Sequence, residues 1–475
     1  MRNWATVLAI SLIAAPVPAQ TASSDAVRLS LSEAARRADQ VGEEVRIARA
    51  NLNATGAQIT IARAAGLPHL NLNATESRTV ASARGQAVGS VFNQPYTYNT
   101  SVSGSQSLFQ GGRVVNGVRA ANALTAASQQ DLAETRSMTD LDTQSAYLNV
   151  LFTNRVVQIQ RQAYDQAAAR ARQAEQFQQA GRFSRYDVLR ARVELANIQP
   201  LLLQAEENAQ VALLELRRLA NIPTTQPLAL TTTIDSAAIT DVLASVDTIA
   251  GADTRPALQS AAKLARARQL GVAVARAALL PSVAFTFNTG YAAYPVNGSA
   301  FPSGLGQLQV VPCAAGVDPS RICTRQNGGF FSDRSFGFVV TWPFFDGFQT
   351  KGAIDLAGAQ ARLAEAQLAE TRERVFNDVA KAKTDLTRAR TQYEARQQSV
   401  SEANEAFQLA TLRFSRGLST QLEVADAQIA LTTAETNEAR SLYDVYIAAA
   451  TLAHTQGRPL PLPSNDHAAN TIPLP

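Results

Sequence analysis

The segment Ser335-Phe-Gly-Phe-Val-Val-Thr-Trp-Pro-Phe-Phe345 carries the clearest strand pattern of the chain. Large apolar residues stand at every second position from Phe336 to Phe344, which is the period of a β-strand. Immediately afterwards, the stretch from Gly347 to Arg416 contains no proline. Large apolar residues recur there at every seventh position, at Val379, Leu386, Tyr393, Val400, Phe407 and Phe414. The pattern predicts a strand that leads directly into a long coiled-coil helix.

The chain repeats this arrangement once. Three pairs of segments recur in the same order: Arg63 to Pro68 with Arg276 to Pro281, Leu108 to Gly112 with Phe344 to Phe348, and Gly181 to Val188 with Gly417 to Val424. A repeat of this length indicates two structural units built alike. We predict a first repeat over 20–222, a connector over 223–253, a second repeat over 254–457 and a tail over 458–475 that is disordered or extended.

Three further stretches alternate in the same way, with apolar residues on one face and Asn, Ser and Thr on the other: Leu70 to Thr75, Tyr96 to Leu108 and Val283 to Tyr291. In most proteins such strands form hairpins packed on a soluble core. Aromatic residues near the strand ends favour a membrane barrel with an aromatic belt instead, and the candidates are Tyr96, Tyr98, Tyr291, Trp342 and Phe344.

Four strands cannot close around a polar lumen, and an open sheet edge cannot lie in lipid. Three chains would together supply about twelve strands, enough for an open pore. The sequence therefore predicts a mixed α and β membrane protein. Its four transmembrane strands per chain complete a 12-stranded trimeric barrel, which continues as a long α-helical barrel.

Helix lengths support this shape. Gly111 to Ala180 and Gly347 to Arg416 would each span about 100 Å as helices. The stretches 32–65 and 182–221 together have about the same reach, so two shorter helices laid end to end can pair with each long helix. Pro200 lies inside one of the shorter helices, where we expect a kink.

Composition narrows the function classes. Basic and acidic residues are interleaved, for a net charge of +4, which gives no basic patch for nucleic acid. The three histidines lack metal-ligand spacing, and no phosphate loop or nucleophile motif occurs, so we expect no metal, no cofactor and no enzyme. The only two cysteines, Cys313 and Cys323, are candidates for a disulfide in a loop, with two free thiols as the alternative.

The first residues resemble a secretory signal. Arg2 precedes an apolar run from Ala5 to Ala15, and small residues follow at Val17-Pro18-Ala19. We therefore predict a signal peptide over 1–19 and an exported mature chain.

The paired Leu-Pro, Phe-Asp/Gln-Gly and Gly-x-x-Ser/Thr-x-x-Asp/Glu-Val motifs, in fixed order, resemble the outer membrane efflux protein family of TolC-like channels. The resemblance covers essentially the whole mature chain. It implies a homotrimer in outer membrane lipid with its helical tunnel in the periplasm. It also implies two protein partners, a periplasmic adaptor (membrane fusion) protein and an inner membrane transporter.

The resemblance also suggests site residues. Acids that narrow the periplasmic aperture match Glu423 and Asp426, which stand one helical turn apart, while Asp187 matches a position near the gate. Ordinary solvated acids are the alternative. Tips that contact the adaptor match Gly181, Arg182, Ser184, Gly417, Leu418 and Thr420, with simple tight turns as the alternative. In the family, polar or charged residues hold the closed gate together. The positions that these residues would face are Phe414 and Ser419 in this chain, so a latch would need other residues, and Arg182, Arg185 and Arg416 are the candidates.

The function predicted from these features is the outer membrane channel of a tripartite efflux system. In this system the channel is a passive exit duct for drugs, toxic compounds or metals. Two alternatives stay open at this point. The same channel could serve type I protein secretion, or the chain could be a structural coiled-coil protein of the periplasm.

Overall fold

The fold is described from a computed structural model. It covers residues 27–81, 83, 95–246, 253–295, 301–302, 304–310, 312, 324–326, 329–463 and 466. The predicted signal peptide and both cysteines lie outside these residues. No prediction about them is therefore addressed by the structure.

Helices dominate the described chain. Two of them, α3 and α7, are 67 residues long, and they occupy the two proline-free stretches. The bounds are α1 Leu31–Val41, α2 Glu43–Ala64, α3 Arg113–Gln179, α4 Arg185–Leu219, α5 Ser236–Ser245, α6 Pro256–Arg276, α7 Gln349–Ser415 and α8 Gln421–Thr455. Helix α4 continues through Pro200. Among the described residues, no helix is both long enough and apolar enough to cross a membrane.

The helices lie side by side in one layer. At one edge are the short helices α2 and α4, both packed on α3, and next come α6 and α8, which pack on α3 and on α7. The long helix α7 forms the other edge. The predicted heptad positions Val379, Leu386 and Tyr393 are buried in this layer, and Ala382 and Ala389 are buried beside them. Large residues alternate with alanine, so the helices approach closely.

Four strands form one antiparallel sheet in the order β2-β3-β5-β8. Their bounds are β2 His69–Arg78, β3 Tyr96–Phe109, β5 Ser282–Ala293 and β8 Phe330–Thr341. Two shorter pairs lie outside this sheet, β1 Val27–Leu29 with β4 Leu228–Leu230, and β6 Leu308–Val310 with β7 Thr324–Gln326.

Each strand of the large sheet is attached to one helix of the layer. Strand β2 follows α2, β3 precedes α3, β5 follows α6 and β8 precedes α7. The helix layer and the sheet therefore run in the same order. Left-handed residues make the two turns from strand to helix, Gly111 and Gly112 in one and Gly347 and Phe348 in the other.

The short helices are laid end to end beside the long ones. Gln456 and Gly457, directly after α8, touch the residues before α6: Thr254 donates its hydroxyl to the carbonyl of Gln456 at 2.6 Å. A side chain at Gly457 would lie 2.6 Å from the Cα atom of Arg255. Helices α8 and α6 thus continue one another along α3 and α7.

A compact core covers the middle of the layer. It contains Leu29 of β1, Tyr147 and Leu148 of α3, and Tyr446 and Leu452 of α8. Part of the predicted disordered tail packs here: Leu460 lies against this core, and Tyr446 donates its hydroxyl to the carbonyl of Pro461 at 2.6 Å. The tail is ordered over 458–463 because its prolines and leucines cover an apolar surface.

Candidate functional site

The large sheet has one polar and one apolar face. The row Asn71, Ser103, Asn288 and Ser335 runs across all four strands, and Asn73 donates to Ser103 on the same face at 3.2 Å. The neighbouring row is Leu70, Gly104, Phe287 and Phe336. Because side chains alternate along a strand, these two rows point to opposite sides of the sheet.

The apolar face is exposed. Within the described chain nothing packs over Leu72, Phe336 and Phe338, which are 74%, 83% and 69% exposed. Gly104 leaves room on this face for the ring of Phe287, which a Cβ atom would approach to 2.2 Å. A sheet with an uncovered apolar face and a face of Asn, Ser and Thr requires two different surroundings, one apolar and one aqueous.

The five residues of the predicted aromatic belt lie at the two ends of the sheet. Tyr96, Tyr98 and Tyr291 are at the end far from the helices, whereas Trp342 and Phe344 follow β8 at the helix end. Trp342 donates its indole N–H to the carbonyl of Leu279 at 3.2 Å, and Tyr98 donates its hydroxyl to Glu76 at 3.3 Å. Tyr98 is only 7% exposed, with its ring edge to face on Phe301 at 5.3 Å, whereas Tyr291 and Trp342 are exposed. The belt therefore stays a prediction.

The two predicted tips have the same backbone. Gly181 and Gly417 have φ values of 73° and 76° and follow the ends of α3 and α7. The next residues, Arg182 and Leu418, donate their N–H groups back to the carbonyls of Phe177 and Arg413, at 2.8 and 2.9 Å. This closure of a helix needs a left-handed residue, so backbone geometry alone accounts for both glycines.

Ser184 and Thr420 are the N-cap residues of the helices that follow the tips. Ser184 forms a full capping box, in which Asp187 accepts both the N–H and the hydroxyl of Ser184, at 2.9 and 2.7 Å. These hydrogen bonds hold the pKa of Asp187 below its usual value. The side chain of Asp187 is therefore committed to starting α4.

Glu423 and Asp426 are exposed on the first turns of α8. Glu423 occupies the third position of its helix, as Asp187 does, and its N–H donates to the Thr420 hydroxyl at 3.4 Å. The Glu423 carboxylate lies 3.9 Å from the Arg413 guanidinium of α7, so one cation already stands beside this acid. Within one chain the structure brings Glu423 and Asp426 together on one helix, while Asp187 begins another.

An aromatic contact joins the two tips. The ring of Phe183 lies 5.1 Å from Phe177 and 6.3 Å from Phe414, edge to face in both cases. The candidate latch residues Arg182, Arg185 and Arg416 are exposed. The heptad pattern already marked Phe414 as an apolar position, but no local signal in the sequence pairs it with Phe183.

Among the described residues, no cluster of histidine, cysteine, aspartate and glutamate could hold a metal ion.

The model of the family described as "Outer membrane efflux protein" matches residues 34–221 and 252–458 of this chain. The chain belongs to the outer membrane efflux protein family. The family and the location inferred from the paired motifs are therefore confirmed: this is an outer membrane protein with its helical part in the periplasm. Members of the family are channels.

One curated relative is the outer membrane protein OprJ of Pseudomonas aeruginosa, which is 29% identical over 178 residues. The alignment spans 37% of this chain and 31% of OprJ, so it supports the family but does not compare two whole proteins.

Two solved structures share the fold. The CmeC outer membrane channel of Campylobacter jejuni is 18% identical with a TM-score of 0.72, over 90% of this chain and 85% of CmeC. VceC, an outer membrane protein of Vibrio cholerae, is 19% identical with a TM-score of 0.70, over 90% of this chain and 96% of VceC. At these identities the likenesses show a shared fold and nothing further.

Proposed function

We propose that three copies of this chain close into one channel that is the passive exit duct of a tripartite efflux system. The observation that carries the proposal is the parallel order of the helix layer and the sheet. Both end in open edges: α2, α4 and β2 on one side, α7 and β8 on the other. Because the two edges differ, they fit one another head to tail, and a head-to-tail contact that closes gives a ring.

The exposed residues of the edges support ring closure. Apolar side chains of α4 and α7 are left uncovered in a single chain, among them Leu189, Val193, Leu203, Leu356, Leu363 and Leu409. The edge strands β2 and β8 each present a free row of backbone groups, which require a partner strand in lipid. Three copies would close about twelve strands with the polar rows inside and the apolar rows against lipid.

The duct would carry small molecules such as drugs, toxic compounds or metals from an inner membrane transporter through a periplasmic adaptor. Membership of the efflux family and the shared fold with CmeC, an outer membrane channel, support this role. The turns at Gly181 and Gly417 are the ends farthest from the sheet along the long helices, so we assign them to adaptor contact. The aperture assignment is Glu423 and Asp426, with Asp187 supporting the start of α4.

The proposal is tested by conductance of the purified protein in planar bilayers. In Glu423→Ala with Asp426→Ala, loss of up to six carboxylates around one axis is expected to raise conductance. The ratio of cation to anion permeability should also fall, on the order of threefold. Glu370→Ala is the matched control, since Glu370 is an exposed acid on α7 paired with Arg374 at 2.6 Å, far from the tips. Equal conductance and selectivity in the double variant and the control would remove the aperture assignment.

A further inference from the structure

The two repeats contain two helix junctions that differ in charge and burial. Gly181 and Gly417 are 236 residues apart, and so are Arg218 and His454, and Asp142 and Asp378. In the first repeat Arg218 pairs with Glu215 at 2.7 Å, is 62% exposed, and interacts with Asp142 and with Glu44 at the start of α2. In the second repeat a histidine takes the place of this arginine.

The second junction is buried, and four elements supply its charges. His454 of α8 is 5% exposed, and its Nδ1 lies 2.8 Å from the Ser137 hydroxyl of α3. Its Nε2 lies 3.6 Å from Oε1 of Glu134, also on α3. Arg255, which precedes α6, donates to Glu134 at 3.0 Å and to Asp378 of α7 at 2.8 Å.

Glu134 of α3 contacts both sides of the junction between α8 and α6. Its Oε1 accepts from Arg255, and its Oε2 accepts the backbone N–H of Ala257 in the first turn of α6, at 3.3 Å. A neutral His454 leaves both interactions intact. A protonated His454 would be a second cation beside Arg255, competing for the same Glu134 oxygen in a site with little water.

We propose that this junction is an acid-sensitive connection: protonation of His454 draws Glu134 away from Arg255 and from the start of α6, so that α8 and α6 come apart in the middle of the helical layer. Helix α8, which begins at the Gly417 tip, is then no longer coupled end to end with α6, which leads into β5. The first junction, open to water and built on an arginine, lacks this response.

The direction of the pH effect follows from burial. Burial lowers the pKa of His454, against the opposing attraction of Glu134 and Asp378 and together with the repulsion of Arg255. The neutral form is thus favoured in the folded protein. The junction is most stable above about pH 6.5, the pKa of a free histidine, and weakens as the pH falls below that value.

The test is hydrogen exchange measured by mass spectrometry on the purified full-length protein in detergent, at about pH 7.5 and about pH 5.5 with correction for intrinsic rates. Peptides covering 453–460 and 254–260 should exchange on the order of tenfold faster at the lower pH. His454→Gln should abolish this difference, whereas His69→Gln should keep it, because His69 is exposed on the polar face of the sheet. Peptides covering 216–222 and 42–48 should respond equally in all proteins.

The same pH response in wild type and His454→Gln would overturn the proposal. If His454→Gln does not assemble, Glu134→Gln decides the matter, since it removes the charge for which His454 competes. The junction peptides of that variant should exchange fast at both pH values. Slow exchange that still rises at the lower pH would overturn the proposal.

Discussion

Single side chains tie together parts of the chain that are far apart in sequence. The hydroxyl of Tyr147, which is fully buried, donates to the carbonyl of Leu29 at 2.9 Å and accepts the N–H of Thr232 at 3.0 Å. Burial raises the pKa of this hydroxyl, so it stays protonated and able to donate. Asp466 accepts the first N–H groups of α1, from Leu31 and Ser32, at 3.1 and 2.9 Å. The start, the connector and the end of the chain meet at these groups.

Removing the hydroxyl of Tyr147 therefore tests whether this group joins the distant segments. Tyr147→Phe removes the acceptor of the Thr232 N–H, while the Leu29 carbonyl keeps only the N–H of Thr231 at 3.0 Å. The change is expected to lower the free energy of unfolding by about 1–3 kcal/mol. Thermal melting of the purified protein, followed by circular dichroism, measures the loss. The control is Tyr186→Phe, because Tyr186 is 67% exposed. Equal melting temperatures for the two variants would show that Tyr147 does not join these segments.

At this scale the sequence predicts types of residue but few pairings. The aperture acids and the tips are predicted from the paired motifs and the resemblance, and the aromatic belt from aromatic residues near strand ends; all three stay predictions. The contacts of Glu423 with Arg413, of Phe183 with Phe414 and of His454 with Ser137 depend on how two helices are aligned along their axes. One sequence taken alone does not contain that alignment.

At the scale of elements, the two repeats end their return helices in the same way. A left-handed residue follows each of two helices, Asn221 with φ 50° after α4 and Gly457 with φ 66° after α8, and these positions are 236 residues apart. In both, the following residue donates back to the last turn at 2.9 Å, so the repeats close their helices alike. Asparagine serves in one and glycine in the other because both tolerate left-handed backbone.

The residue after α8 is packed against the residues before α6, whereas the residue at the tip after α3 has open space around it. Substitutions of Gly457 and Gly181 test this difference. Gly457→Asn keeps a residue suited to positive φ but places a Cβ 2.6 Å from the Cα of Arg255, so the junction of α8 and α6 must shift. Gly181→Asn has a similar φ and open space around it. The melting temperature is expected to fall by several degrees for Gly457→Asn. For Gly181→Asn, the free energy of unfolding is expected to fall by no more than about 1 kcal/mol. Equal losses would mean that only backbone conformation matters at Gly457.

Long elements were predictable because their periods extend over many residues. The proline-free stretches contain α3 and α7, and the heptad positions of α7 are buried or half-buried as expected. The short elements β1, β4 and α5 have no such period, and they are held by contacts with α3 and α8. For the same reason the sequence did not predict that residues 458–463 pack on the core: their apolar residues are few, and the surface beneath them accounts for the contact.

At the scale of the whole molecule, one arrangement accounts for the chain. Helices and strands follow the same order across a layer, so each strand of the sheet continues into a helix. A single chain then has two unlike open edges, an uncovered apolar band and a row of polar residues beside it. We infer that copies of the chain close into a ring in the outer membrane, with the helical part in the periplasm. In such a ring the open edges pair, the apolar band contacts lipid and the polar row contacts water.

The central claim is that one face of the sheet lies against lipid and the other against water. The most direct measurement compares two adjacent residues of β3, by placing single cysteines in a background with Cys313→Ser and Cys323→Ser. Val102 lies on the same face as Leu72, Gly104 and Phe287, and Ser103 lies on the opposite face with Asn71 and Asn288. The purified variants Val102→Cys and Ser103→Cys are reconstituted into lipid vesicles and exposed to a charged, water-soluble maleimide. We expect rapid labelling of Ser103→Cys and almost none of Val102→Cys; equal labelling of the two would contradict the account.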